Sequence, residues 1–461
     1  MINIPKTHLF TESDLPLVQF THTFAQATAW LEEGMEKRWA TYDLYVRDLP
    51  PNRNFLVAAG LEEILTWLKK IKFSKEDVNY LLSGKLINKK LAKYLLKFKF
   101  TGTVYAMPEG TICFPGEPMI RISAPLLEAS LMESYLMNAL TSNTIFLTKA
   151  ARIYLANKET YAVSAGVMRS HSFESGAKAA RNALICGIPS MATPAISKKY
   201  NIARPTYIVN AQHLFITSFV DELTAFRTLA KYFPDTCSFM IDTYGLENGV
   251  ANAITVAKEL RQKGHELVSV TVDSGDLAEG TRFVRKHLDK AGFKNVKIII
   301  AGNLDEYKLE KLVAKKVPCD IVVIATEYIT VADAPKLETI YKLSELRDKE
   351  SVVYAAKFAP GKHHYPGVKQ VYRKFKNKLM TEDIVGLENE KLGTPLLIKV
   401  MDKGKTCYDL PNIEQIKAYF IKQTKQLPNS LKNINKLGEY KVAHSQKLEK
   451  LFNKVREERT R

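Results

Sequence analysis

Four apolar runs in the middle of the chain each end on a polar or small residue and are followed by a helical pattern. The runs cover residues 238–241, 267–272, 296–300 and 320–324, and the residues after them include Asp242, Asp273, Gly302 with Asn303, and Thr326. Apolar residues at helical spacing predict helices between the runs, at 250–263, 278–291 and 304–316. Strand, helix and strand in series indicate parallel strands joined by crossovers. This series predicts an α/β barrel, in which the carboxyl ends of the strands form one functional rim.

The acids at these strand ends have two interpretations. An Asp before a helix often serves only as an N-cap, which accepts hydrogen bonds from the first helical turn. The loops at the strand ends of a barrel also carry catalytic and binding residues. Because four consecutive strand ends carry polar or small residues, we favour an active-site rim over independent caps.

Two earlier segments add ionisable residues to the same predicted rim. His213 follows an apolar run at 206–209, and its position after a strand favours a functional role over a structural one. Arg169 also follows a short apolar segment. An arginine there suits a carboxylate or phosphate, with a structural salt bridge as the alternative. For Arg181, inside a predicted helix at 176–185, both interpretations stay open.

The residue types indicate an anionic, sugar-like substrate. Asp242 and Asp273 are able to hold Mg²⁺, ribose hydroxyls or a developing positive charge on a sugar carbon. Ser274 and Gly275 form a tight polar turn at a helix start. Small residues also let backbone N–H groups approach a phosphate, and the candidates of this kind are Gly302, Asn303 and Thr326. The rim therefore predicts binding of a phosphorylated substrate, without defining the reaction or the metal ligands.

The segments on either side of the barrel have mixed patterns. The first part is predicted to contain helices at 24–34, 60–70 and 126–139. Its predicted strands lie at 40–46, 103–106 and 118–122. Short strands and basic helices return after a charged break at 347–350. The predicted fold class is α/β: an irregular parallel α/β barrel at 143–346 plus a flanking α+β domain built from both chain ends, 1–142 and 347–461.

Composition narrows the class of protein. The chain has 461 residues and five scattered cysteines in no metal-binding spacing, which is typical of a reducing compartment. No apolar run approaches the ~20 residues that a membrane helix needs. Residues 1–17 lack the apolar segment of a signal peptide. We therefore expect a cytoplasmic protein without a membrane partner.

The formal charge of +18 has two interpretations. It could attract nucleic acid or a polyphosphate substrate. Many of the late lysines, however, lie among apolar residues at helical spacing, as on the solvated faces of helices. We favour solvated lysines with some steering of anionic ligands, and we expect no nucleic-acid partner because no nucleic-acid-binding module is recognisable.

An ordered set of motifs resembles nicotinate phosphoribosyltransferase. In the predicted barrel the motifs are Asp242-Thr243-Tyr244, Val272-Asp273-Ser274-Gly275-Asp276-Leu277, Asn303-Leu304-Asp305-Glu306, 326–335 and Tyr341-Lys342-Leu343. Further matches lie at 47–50, 58–62, 365–373 and 440–448. The likeness covers nearly the whole chain, and the chain resembles a divergent member of this family.

The resemblance implies a reaction and partners. It implies transfer of phosphoribose from phosphoribosyl pyrophosphate to the ring nitrogen of nicotinate, with Mg²⁺, in NAD salvage. It implies that ATP hydrolysis drives this reaction through a phosphorylated histidine. It also implies a homodimer in which the N-terminal part of one subunit completes the barrel site of the other.

The resemblance further implies roles for particular residues. His213 matches the phosphorylated histidine, and Asp242 and Asp273 match the acids around the ribose and the metal. Arg169 matches the second of two adjacent arginines near the nicotinate carboxylate and phosphate. Phe24 matches an aromatic residue that stacks on the pyridine ring.

Several positions depart from the family pattern. Met168 stands where the family has the first arginine of the pair, Leu214 where it has Ser, Gly245 where it has an acid, and Ala325 where it has Gly. Residues 190–193 replace the family's Gly-Thr-Ser-Asn loop, and residues 21–24 replace its Thr-Asp-Leu-Tyr motif.

Three hypotheses follow: an active enzyme with nicotinate or a shifted base, a catalytically weak nucleotide-binding or regulatory paralogue, and a nucleic-acid-binding protein. The retained Asp242, Asp273 and His213 favour the enzyme.

Overall fold

The computed structural model describes residues 11–157, 160–190, 193–202, 208–359 and 361–460. The chain divides into two compact units. One comprises Lys149–Pro335, and the other comprises the segments before and after it. These boundaries differ from the predicted ones, at 142/143 and 346/347. A long helix, Glu133–Ala156, crosses the first predicted boundary, and a strand, Thr339–Arg347, pairs within the sheet of the chain ends.

The strands are β1 Trp39–Val46, β2 Leu56–Val57, β3 Thr103–Ala106, β4 Ile112–Cys113, β5 Pro118–Pro125, β6 Tyr161–Ser164, β7 Val209–Ala211, β8 Cys237–Met240, β9 Ser269–Val272, β10 Lys297–Ile300, β11 Ile321–Ile324, β12 Thr339–Arg347, β13 Val352–Tyr354, β14 Lys369–Lys376, β15 Leu379–Leu387, β16 Thr394–Pro395, β17 Ile398–Asp402, β18 Lys405–Thr406 and β19 Lys441–His444.

The α-helices are α1 Thr21–Glu32, α2 Leu61–Lys70, α3 Lys75–Ser83, α4 Lys89–Leu95, α5 Leu126–Ser130, α6 Glu133–Ala156, α7 Phe173–Ile185, α8 Pro194–Lys199, α9 His213–Thr217, α10 Glu222–Tyr232, α11 Leu246–Gln262, α12 Leu277–Lys290, α13 Glu306–Ala314, α14 Thr326–Ile329, α15 Ile413–Gln426, α16 Asn429–Lys432 and α17 Gln446–Thr460.

The central unit contains a six-stranded parallel sheet in the order β6-β11-β10-β9-β8-β7. Its first strand along the chain, β6, pairs with its last, β11, as in a barrel. Beyond β6, Ser164 forms a further parallel bridge with Ser190. Among the described residues no bridge joins that edge to β7, so the described strands form a curled, open sheet. Residues 206 and 207 of the predicted strand at 206–209 lie outside the described residues, and β7 begins at Val209.

Two inner strands of this sheet, β8 and β9, are buried on both faces. All four residues of β8 and all four of β9 are buried. On the outer face, Phe239 of β8 stacks on Phe226 of α10, with ring centroids 4.3 Å apart. Burial on both faces accounts for the continuous apolar runs that predicted the parallel strands.

The second unit is built from both chain ends. Its seven-stranded sheet has the order β13-β12-β1-β5-β3-β17-β18, in which β1 pairs antiparallel with β12. The predicted hairpin pairs β3 with β5, with Ala106 opposite Ile120. A smaller sheet has the order β16-β14-β15-β19. The predicted fold class, a parallel α/β barrel with a flanking domain from the chain ends, is therefore confirmed.

One predicted helix, at 126–139, is wrong in its extent. The structure has two helices, α5 and α6, separated by Leu131 and Met132, and the second continues to Ala156. Both intervening side chains are fully buried. Burial of both side chains in the core accompanies this break in a helical pattern that contains no Pro or Gly. None of the described helices combines the length and the apolar character that crossing a bilayer requires.

Candidate active site

The carboxyl ends of β7, β8 and β9 bring together a histidine and two acids. His213 begins α9 directly after β7, while Asp242 and Asp273 follow the ends of β8 and β9. The His213 Nδ1 atom lies 3.0 Å from the Thr243 hydroxyl oxygen. On the other side of the ring, His213 Nε2 lies 3.9 Å from a carboxylate oxygen of Asp273. The imidazole is therefore held between the loops after β8 and β9.

Asp242 links the same two loops. Its Oδ2 atom accepts hydrogen bonds from the Asp273 backbone N–H at 3.0 Å and from the Ser274 hydroxyl at 2.6 Å. Its Oδ1 atom is buried and has no hydrogen-bond partner among the described protein atoms. A buried carboxylate oxygen without a partner is energetically costly, so this oxygen is available to a ligand.

Neither Asp242 nor Asp273 caps a helix. The N-cap of α11 is Gly245, and the N-cap of α12 is Asp276, whose carboxylate accepts hydrogen bonds from the first-turn N–H groups. The capping interpretation of the strand-end acids therefore applies to Asp276 and not to the two acids before it. Asp242 and Asp273 therefore have no capping role for α11 or α12.

The pKa of Asp273 is raised by its surroundings. Partial burial raises the pKa of this carboxyl first, and the nearby negative charge of Asp242 raises it further. His213 and Arg169 act in the opposite direction, since positive charge favours the ionised carboxylate. Arg169 follows β6 in a short turn, Val167–Arg169, so its charge reaches the acids from another part of the rim.

The loop after β10 closes against the loop after β9. Gly302 has a φ of +102°, and a Cβ built on it would lie 2.7 Å from the backbone oxygen of Asp273. A larger residue at this position would therefore displace the Asp273 backbone. The two loops line an open cleft of about 410 Å³, and its lining includes Asp273, Ser274, Gly275, Gly302 and Asn303.

Thr326 occupies the neighbouring strand end. It begins α14 directly after β11, which pairs with β10. Among the described contacts, none joins Thr326 to the acids, and Thr326 does not line the cleft of the β9 and β10 loops. The close approach of Gly166 to Ala325, where a Cβ would lie 2.8 Å from the backbone, brings the end of β6 beside this loop.

The structure contradicts the predicted role of Phe24. Its side chain is 2% exposed and packs edge-on against Phe73 in the core of the chain-end unit. Phe24, Ala27 and Leu31 lie on one buried face of α1, because residues three and four apart share a helix face. A ring buried in this way is not available to stack on a substrate.

Sequence reasoning missed two features. Thr243, which contacts His213, was visible within the Asp242-Thr243-Tyr244 motif but received no role. The exposed aromatic side chains near the start of α1 are Phe20 and His22, whose rings stack with centroids 5.2 Å apart. The amphipathic pattern of α1 could have separated these residues from Phe24.

Comparison with known proteins places this chain in a family. The nicotinate phosphoribosyltransferase N-terminal domain model matches residues 21–141, and the C-terminal domain model matches 387–452. A nicotinate phosphoribosyltransferase of Mycobacterium tuberculosis (strain ATCC 25618 / H37Rv) is 32% identical over 416 residues, which cover 89% of this chain and 87% of that protein. The chain belongs to the nicotinate phosphoribosyltransferase family. The Bacillus subtilis (strain 168) nicotinate phosphoribosyltransferase is 31% identical, covering 94% of this chain and 93% of its own.

A solved structure supports the fold. The crystal structure of human nicotinic acid phosphoribosyltransferase matches with a TM-score of 0.81 at 22% identity, covering 95% of this chain and 99% of that one. The predicted family resemblance is therefore confirmed by sequence, and the fold by structure.

Several departures from the family pattern lie at the strand ends of the central unit, whereas 21–24 lie in α1 of the chain-end unit. Met168 and Leu214 are 64% and 83% exposed, after β6 and β7. Gly245 has a φ of +122°, a backbone conformation that side chains rarely adopt, so an acid there would require a different backbone. Of the loop at 190–193, residues 191 and 192 lie outside the described part of the chain.

Proposed function

We propose that this protein is a nicotinate phosphoribosyltransferase, which forms nicotinate mononucleotide and pyrophosphate from nicotinate and phosphoribosyl pyrophosphate in NAD salvage. The observation that carries the proposal is the pair of acids, Asp242 and Asp273, at neighbouring strand ends with no capping role. Membership of the family supplies the reaction.

The two acids suit a transfer at a sugar carbon. As pyrophosphate leaves, positive charge develops on that carbon, and fixed carboxylates stabilise such charge strongly in a partly buried site. Asp242 is held by Ser274 and by the Asp273 backbone, so its carboxylate is oriented before substrate arrives. The ring nitrogen of nicotinate would attack from the opposite side, and Arg169 would offer paired donors to the substrate's carboxylate or phosphate.

The site also fits a magnesium ion. Mg²⁺ in proteins is commonly held by one or two carboxylates together with substrate phosphates. The unpartnered Oδ1 atom of Asp242 and the carboxylate of Asp273 are oxygen ligands of this kind. When bound, the ion would neutralise charge on the leaving pyrophosphate.

ATP is the proposed second co-substrate, with His213 as the acceptor of its terminal phosphoryl group. The contact of Nδ1 with Thr243 fixes the ring orientation, and it leaves Nε2 as the nitrogen that faces the rim. A ring nitrogen on a partly exposed histidine beside acids is accessible to a phosphoryl donor.

A homodimer is the proposed assembly. Large apolar side chains at the rim are exposed, namely Met168, Phe173, Leu214 and Tyr244, and such patches mark interaction sites. We propose that the N-terminal part of a second subunit covers them, with the exposed Phe20 and His22, rather than the buried Phe24, providing the ring face for the pyridine. Light scattering should give twice the chain mass of 52.1 kDa, whereas a monomer mass would contradict the shared site.

Replacement of Met168 by arginine should tighten nicotinate binding. The nicotinate carboxylate loses water on binding and needs donors, and the family's first arginine is missing here. A charge-assisted hydrogen bond contributes roughly 1.5–3 kcal/mol, so Met168→Arg should lower the KM for nicotinate about tenfold or more. The control Val220→Arg adds the same charge at another exposed position and should leave this KM unchanged. No change in Met168→Arg would show that residue 168 does not face the base.

The proposed function is tested by nicotinate-dependent release of pyrophosphate. Purified protein with phosphoribosyl pyrophosphate and Mg²⁺ should release pyrophosphate and mononucleotide in equal amounts when nicotinate is added. Binding of both substrates without product would instead identify a nucleotide-binding paralogue.

A further inference from the structure

A buried ionic network lies below the loops after β10 and β11. Lys149 of α6 places its Nζ atom 2.5 Å from Glu306 Oε2 and 2.8 Å from Asp333 Oδ1. Arg152, one turn later, donates from Nε to Glu306 Oε1 at 2.7 Å. The side chains of Lys149 and Glu306 are 1% and 0% exposed. Such an interaction is far more sensitive to the loss of one member than a surface salt bridge.

The network joins two segments that carry candidate phosphate-binding residues. Glu306 is the first residue of α13, directly after the loop with Gly302 and Asn303. Asp333 follows α14, the short helix that begins with Thr326. In the described part of the chain, the β10–β11 ladder pairs residues up to Ile300 and Val322, and no strand pair joins the two loops that follow. In the described structure, Lys149 makes contact with an acid from each segment.

The charges of the network balance. Lys149 and Arg152 provide two positive charges, and Glu306 and Asp333 provide two negative charges. Burial raises the pKa of Glu306, but Lys149 and Arg152 together outweigh this effect and leave its pKa below the ordinary value. The carboxylate therefore stays charged at neutral pH, and each ion depends on the position of the others.

We propose that Lys149 is a positioning residue that holds the loop with Gly302 and Asn303 and the segment that begins with Thr326 at a fixed separation, and that this separation sets how phosphoribosyl pyrophosphate binds. This inference rests on the proposed function and extends it to a residue that touches no substrate. Loss of this contact would let either segment shift, and a misplacement of about 1 Å can reduce a rate by ~10²-fold.

The decisive variant is Lys149→Met, which keeps the length of the side chain and removes its charge. Its KM for phosphoribosyl pyrophosphate should rise about tenfold or more, while its KM for nicotinate stays within about twofold. Lys149→Arg, which restores the charge, should recover part of the loss. Asp333→Asn is a milder variant that removes the charge which Lys149 contacts on the segment after β11. It should shift the same KM in the same direction, and it serves as the test if Lys149→Met does not fold.

A control variant separates positioning from general stability. Leu260→Ala removes a buried apolar side chain from α11, away from the network, and should lower the melting temperature without changing the KM for phosphoribosyl pyrophosphate. Hydrogen exchange gives a readout that does not depend on turnover. In Lys149→Met, the backbone amides of 302–308 and 326–333 should both exchange faster than in wild type, whereas in Leu260→Ala these two segments should not respond together.

The outcomes distinguish this inference from the proposed function. An active wild type in which Lys149→Met raises both KM values equally, or lowers only the melting temperature, would overturn the positioning role. Unchanged exchange in one of the two segments would overturn the linkage between them. A wild type that forms no mononucleotide would overturn the proposed function, and with it the substrate assigned to the two loops.

Discussion

Asp273→Asn should reduce phosphoribosyl transfer by on the order of 10²–10³, as expected for the loss of one fixed electrostatic partner of a developing charge. The substitution keeps the shape of the side chain and removes its charge. Asp273 accepts no capping bond of α12, whose cap is Asp276, so the helix should remain intact. The rate is measured as mononucleotide formed per enzyme, and circular dichroism checks that the fold is retained.

An acid with a purely structural role provides the control for this prediction. Asp221 caps α10 by accepting a hydrogen bond from the Thr224 N–H at 2.7 Å. Asp221→Ala should therefore lower the free energy of unfolding by about 0.5–2 kcal/mol and leave turnover nearly unchanged. If Asp273→Asn instead stays within a few-fold of wild type, Asp273 does not stabilise the transition state.

The pH dependence gives a second measure of the same carboxylate. Because burial and the charge of Asp242 raise the pKa of Asp273, its ionised form is lost at a higher pH than for an ordinary Asp. The acid limb of kcat/KM should therefore lie above the range usual for an aspartate.

His213→Ala should abolish ATP hydrolysis while phosphoribosyl transfer persists at a low rate. The imidazole is fixed by Thr243 and faces Asp273, but in the proposed mechanism it accepts the phosphoryl group and does not take part in bond making at the sugar. The measurement is nicotinate-dependent release of ADP, alongside mononucleotide formation with and without ATP.

His265 offers a matched histidine control. It lies after α11 in the same unit, with its Nδ1 atom 2.7 Å from Asp235 Oδ1, and it belongs to none of the rim loops. His265→Ala should hydrolyse ATP as wild type does. ATP hydrolysis at the wild-type rate in His213→Ala would remove His213 from the coupling mechanism.

The barrel could be predicted from sequence because its strands are buried on both faces. Runs such as 296–300 contain almost only apolar residues. The helical periodicity between the runs indicated that the strands are parallel and joined by helical crossovers. The break between α5 and α6 could not be predicted, since Leu131 and Met132 are compatible with a helix and no Pro or Gly marks the position. The pairing of β1 with β12 joins segments that are far apart in sequence, so no local pattern indicates it. This pairing places β12 in the chain-end unit, which the predicted boundary at 346/347 did not anticipate.

The candidate site was predictable for residues that directly follow a parallel strand, because the carboxyl ends of parallel strands lie at the same edge of the sheet. Asp242, Asp273 and His213 follow from this rule, and their contacts join them in the structure. Phe24 was assigned by residue type within a motif, and the buried face of α1 overrides that assignment. The contact of Lys149 with Glu306 and Asp333 joins residues far apart in sequence, and no local pattern indicates it.

The central claim is most directly tested by the choice of base. Purified protein is given phosphoribosyl pyrophosphate, Mg²⁺ and ATP, and nicotinate, nicotinamide and quinolinate are supplied separately. The mononucleotide product is then identified by mass. The account predicts nicotinate mononucleotide as the main product, with little from the other two bases. Equal or greater turnover of nicotinamide or quinolinate, or no product from any base, would contradict it.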